Sequence, residues 1–141
     1  MTHLAWLNAF GSDLNVASNS ATVVAGNGAG NIIGGNVTAA ALQDVGSSGY
    51  SGYFGDTNMA DNSAAVLAAN GVGNVIGGSV TAAAQQQVGD SGFGFGDFFG
   101  GDTNIATNSA TAVVANGLGN VVLGDVTAVA DQQVGDQGFG F

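Results

Sequence analysis

The sequence predicts an all-β fold in which three imperfect strand-turn-strand repeats stack as a β-solenoid or cross-β-like subunit. Three observations predict it. One set of landmarks recurs three times in a single register, small and apolar residues alternate with a period of two, and Gly-rich turns punctuate that alternation.

The repeat is set by four landmarks. Asn19, Asn62 and Asn108 each open an Asn-Ser-Ala triplet, 43 and then 46 residues apart. At the same spacings come the pentapeptides NGAGN, NGVGN and NGLGN, then the Val-Thr pairs at 37, 80 and 126, then Gln43, Gln86 and Gln132. An Asp-x-Asn-x-Ala lead-in places Asp13, Asp56 and Asp102 in equivalent positions. The chain therefore divides into an N-terminal segment (1–14), repeat 1 (15–46), a Gly/aromatic connector (47–55), repeat 2 (56–89), a second connector (90–101), repeat 3 (102–135) and a Gly/Phe tail (136–141).

Within the middle copy, a strand would put Asp56, Asn58, Ala60, Asn62, Ala64, Val66, Ala68 and Asn70 on one side. After the pentapeptide, Asn74, Ile76, Gly78, Val80, Ala82, Ala84, Gln86 and Val88 form the next such row. The pentapeptides read as tight turns, formed by Asn27, Gly28, Gly30 and Asn31, by Asn70, Gly71, Gly73 and Asn74, and by Asn116, Gly117, Gly119 and Asn120. Ala-rich Val80 to Gln87 would suit a helix on propensity alone. The Val-Thr pairs and flanking glycines favour strand. The other side of the first strand, with Thr57, Met59, Asp61, Ser63, Ala65, Leu67 and Ala69, also carries apolar residues, so both strand faces are expected to be buried.

Composition narrows the chemistry. The chain has 141 residues and no Lys, Arg, Glu, Pro or Cys, and its ten Asp residues give a formal charge of −10. Nucleic acid and anionic membrane surfaces, which are bound through Lys and Arg, are therefore not expected partners. Disorder is disfavoured, because 45% apolar residues against 7% charged is the reverse of its signature. Met1 to Phe10 has no basic n-region, and its apolar run is shorter than a signal peptide or membrane span requires.

If the copies stack about 4.8 Å apart, equivalent residues become neighbours. Asn19, Asn62 and Asn108, and likewise Gln43, Gln86 and Gln132, are then expected to form amide ladders, which satisfy groups that are costly to bury unpaired. Most Asp residues avoid stacking on their own kind. Asp61 aligns with Ser18 and Thr107, and Asp131 with Leu42 and Gln85. Asp13, Asp56 and Asp102 coincide in all three copies, and Asp90 and Asp136 in two. The column of three belongs at an exposed edge or needs relief by a cation or protonation.

These features resemble the functional amyloid subunits of bacterial biofilms, the Fap fibre subunit and, more loosely, the curli major subunit. The resemblance is carried by the N-G-x-G-N turns and by Gln43, Gln86 and Gln132. It implies an extracellular or cell-surface homopolymer, a mechanical role in matrix scaffolding, cohesion or attachment, and self and other matrix components as partners.

Catalysis is not expected. His3 is the single imidazole and lies in the N-terminal segment, while Ser20, Ser63 and Ser109 recur without a His or Lys partner. No cofactor is implied. Calcium is the one metal considered, because Asp13, Asp56 and Asp102 with their neighbours supply oxygen ligands suited to a hard cation. Trp6, Phe93, Phe95, Phe98, Phe99, Phe139 and Phe141 are candidates for contacts between subunits, or for covering the chain's own sheet. Two functions of other classes stay open: an outer-membrane β-barrel, suggested by the alternation and terminal Phe141, and a secreted calcium-dependent binding module.

Overall fold

In the computed structural model, the described residues are 14–46, 48–49, 55–89, 91–94, 102–135 and 137–140. They form three equivalent rungs. The first contains β1 (Leu14–Ala25), β2 (Gly28–Ala29), β3 (Ile32–Ile33), β4 (Val37–Val45) and β5 (Ser48–Gly49). The second contains β6 (Thr57–Ala68), β7 (Gly71–Val72), β8 (Val75–Ile76), β9 (Val80–Val88) and β10 (Ser91–Gly94). The third contains β11 (Thr103–Val114), β12 (Gly117–Leu118), β13 (Val121–Val122), β14 (Val126–Val134) and β15 (Gln137–Gly140).

Among the described residues each strand pairs only with its equivalents, in parallel, giving five three-stranded sheets with the second rung in the middle. The register is the one the repeat spacing requires: Asn19 faces Asn62, which faces Asn108, and Gln43 faces Gln86, which faces Gln132. The chain is thus all-β, with three strand-turn-strand repeats stacked in a solenoid-like manner. Val80 to Gln87 is strand within β9, not helix, because β9 is paired along both edges and buries alternate residues. A closed barrel is also excluded as the arrangement of these strands, which form separate sheets of three around a filled interior.

Each rung folds back on itself, so β6 faces β9 across the core. Ala64, Val66 and Ala68 meet Ile76, Val80, Ala82 and Ala84, all of them buried. Burying each Val or Ile contributes on the order of 1.5–3 kcal/mol, and the intervening alanines let the two sheets come close. The alternation runs as expected from Asp56 to Ala68 and then breaks. Ala69 takes a left-handed backbone (φ 53°), as do Ala115 (56°) and Gly26 (65°) at the equivalent positions, so Ala69 is buried beside Ala68 and Asn70 is not. That kink turns the chain out of its first long strand.

The expectation that both faces are buried is not met within one chain. The outer row, with Val16, Met59 and Ile105 in one column, remains substantially exposed.

Candidate functional site: amide ladders and two stepped ends

Three amide columns run through the stack. Asn15 Nδ2 donates to Asn58 Oδ1 at 2.8 Å, and Asn58 Nδ2 to Asn104 Oδ1 at 2.9 Å. Asn31 Nδ2 donates to Asn74 Oδ1 at 2.9 Å, and Asn74 Nδ2 to Asn120 Oδ1 at 3.1 Å. On the facing sheet the direction reverses, with Gln132 Nε2 donating to Gln86 Oε1 at 3.0 Å and Gln86 Nε2 to Gln43 Oε1 at 2.8 Å. The Gln ladder is the one expected from sequence. Of the two Asn columns, the first stands in the Asp-x-Asn-x-Ala lead-in and the second in the pentapeptides predicted as turns. The signal for both was present, since an Asn recurs at 15, 58 and 104 as regularly as at 19, 62 and 108.

The pentapeptide owes its second Asn to two duties. Asn74 Nδ2 reaches back to the Asn70 carbonyl within its own turn at 3.3 Å and down to the Gly28 carbonyl of the rung before at 3.0 Å. Asn120 repeats both bonds, to Asn116 and Gly71. Gly71 and Gly117 bring their backbones so close to the preceding rung that a Cβ there would lie 2.0 and 1.9 Å from a carbonyl oxygen.

Asn19, Asn62 and Asn108 depart from expectation. Only Asn62 to Asn108 retains a ladder contact, at 3.3 Å, and Asn62 Oδ1 is buried with no partner among the described residues. Their amides instead cross the core to main-chain carbonyls. Asn62 donates to Ala41 of the first rung and Gln85 of its own, and Asn108 to Ala84 of the second rung and Asp131 of its own. Asn19 donates to Leu42 of its own rung. This pattern means that the two facing sheets are offset by about half a rung. β6 packs on β4 and β9, and β11 on β9 and β14, so β14 overhangs one end while β1 protrudes at the other.

Exposure records the same step. Val37 and Val45 on β4 are each 5% exposed, whereas their equivalents on β14, Val126 and Val134, are 51% and 47% exposed. The inward row of the last strand is therefore left open.

Asp56 is buried, and its main-chain N–H donates to Asp102 Oδ1 at 2.7 Å. The Asp102 carboxylate thus serves the backbone of the rung before it. Asp13 lies outside the described residues, so the three-carboxylate column is not seen as a unit. Among the described residues no group of three or more His, Cys, Asp or Glu comes together. Phe93 and Phe139 are register partners in β10 and β15. Trp6, Phe95, Phe98, Phe99 and Phe141 lie outside the described residues. A shallow outer groove of about 460 Å³, lined by Leu42, Asp44, Gln85, Gln87, Asp131 and Gln133 among others, offers amides and carboxylates.

No protein-family model, no curated protein and no solved structure matches the chain.

Proposed function

We propose that the chain is the subunit of a self-assembling extracellular filament whose role is mechanical, in scaffolding, cohesion or surface attachment. One observation carries this reading. The second rung has both of its edges paired along β6 and β9, while the first and third rungs, its near-copies, each have an edge of every sheet unpaired among the described residues.

An open edge with backbone donors and acceptors is a template for another strand, and here the best-fitting strand is another rung of the same protein. Net charge, lack of cationic side chains and the uncovered apolar columns of the outer face fit a homopolymer better than a nucleic-acid or anionic-membrane binder.

The test is electron microscopy of purified protein with fibre diffraction on the same sample. Unbranched filaments with a meridional spacing near 4.8 Å are expected. A compact monomer that stays monodisperse at high concentration would overturn the reading.

A further inference from the structure

Two glycines in the second and third rungs are required by the rung before them. A Cβ on Gly78 would lie 2.5 Å from Asn36 Oδ1 and 2.6 Å from the Gly35 carbonyl carbon. One on Gly124 would lie 2.6 Å from Gly78 C and from Ser79 N. Neither residue has a positive φ, so the requirement is one of space.

Gly35 is the equivalent residue of the first rung. Among the described residues nothing lies within 4 Å of a Cβ placed there, and its φ is not positive either. Among the described residues nothing demands glycine at this position. The neighbouring column shows that the repeats diverge where room allows, since it reads Gly34, Gly77 and then Leu123. A rung lying before the first would supply the missing constraint.

The half-rung offset says which rung that is. Asn62 and Asn108 each bridge two carbonyls, one on their own rung and one on the rung before, but among the described residues Asn19 has only Leu42 of its own. By register, the carbonyl that Asn19 lacks is the equivalent of Ala41 and Ala84, which on the third rung is Ala130. Ala130 lies on the overhanging strand β14, whose inward row is open. The ladders end in matching chemistry as well. Gln43 Nε2 and Asn31 Oδ1 stand at the first-rung end, and Gln132 Oε1 and Asn120 Nδ2 at the third.

Resting on the filament reading, we infer that the first rung of one copy docks in register on the third rung of a second copy, the protruding β1 seated on the overhanging β14. Asn19 then donates to the second copy's Ala130 carbonyl, Gln43 donates to its Gln132, and Gly35 lies against the backbone at its Gly124. The two ends differ, so assembly is head to tail and each copy adds at a seam of one geometry.

Two substitutions block one end each. Gly35→Ala places a methyl in open space in the monomer but in the seam of the polymer, and Ala130→Asp places a carboxylate on the open overhang, where only an incoming β1 would bury it. Each variant alone is expected to keep the wild-type unfolding midpoint as a monomer and to need at least about tenfold more protein to elongate, a change of about 1.4 kcal/mol per seam. Mixed in equal amounts, they have one intact seam between them, so sedimentation velocity should find dimers and nothing longer.

Either variant elongating like wild type, a Gly35→Ala monomer that unfolds, or a mixture that stays monomeric would overturn this seam while wild-type filaments left the filament reading intact. Failure of the wild type itself to polymerise would remove both.

Discussion

Asn62 sends its side-chain amide across the core to the Ala41 carbonyl at 3.1 Å, from the second rung to the first. The same Nδ2 reaches Gln85 at 2.9 Å, so one amide fastens two strands of the facing sheet. Asn62→Asp replaces that donor with an acceptor facing two carbonyls in a buried site. A loss of about 3 kcal/mol or more is expected, against less than about 0.5 kcal/mol for Asp61→Asn on the exposed row. Urea unfolding of the two variants measures this, and equal midpoints would count against the cross-core bonds.

Gln86 both donates to Gln43 and accepts from Gln132. A Gln86→Glu carboxylate can only accept, which leaves Gln43 Oε1 without its donor and a charge in a buried site. Its folded-state pKa should therefore lie above the unfolded value of about 4.3. The sign follows: stability is fullest below the unfolded value, where the neutral acid can donate, and falls as pH rises through the folded one. Unfolding midpoints of the variant and wild type should converge in acid and separate by on the order of 2 kcal/mol at neutral pH.

Gly117→Ala would put a methyl 1.9 Å from the Gly71 carbonyl oxygen at a residue whose φ is 127°. Neither space nor conformation accommodates it, and the third rung should detach at a cost of at least about 3 kcal/mol. Gly34→Ala meets nothing within 4 Å and should change stability by no more than about 1 kcal/mol. Thermal melts of the pair provide the comparison, and a tolerated Gly117→Ala would refute the close approach of the turns.

Each copy carries a formal charge of −10 with no cation to offset it. Bringing copies together at neutral pH works against that charge, at roughly 1 kcal/mol per pair of carboxylates one rung apart even in bulk water. Polymerisation should therefore quicken near pH 4, where carboxylates begin to protonate, and on adding divalent cations. Light scattering across pH and cation concentration measures the rate, and a rate indifferent to both would contradict the charge argument.

The register of the stack was legible because the repeats carry it: once Asn62 sits over Asn19, every other pairing follows, and Gln43, Gln86 and Gln132 form the ladder expected of them. The offset between facing sheets was not. It is a relation between β6 and β4 that depends on how Ala-sized side chains interlock, and no periodicity along a single strand encodes it. For the same reason the sequence alone assigns Asn62 to a ladder, since an amide that recurs every rung looks the same whether it bonds along the stack or across it. The buried left-handed Ala69 was hidden too, because alanine gives no sign of a backbone usually marked by glycine.

The Asn and Gln columns transfer their hydrogen bonds in opposite senses along the stack. Side-chain amides are dipoles, and columns aligned the same way would build an axial field that grew with every added rung. Here the Gln column opposes the two Asn columns, so part of that field cancels within each rung, and extending the stack separates less charge between its ends than three like-oriented columns would.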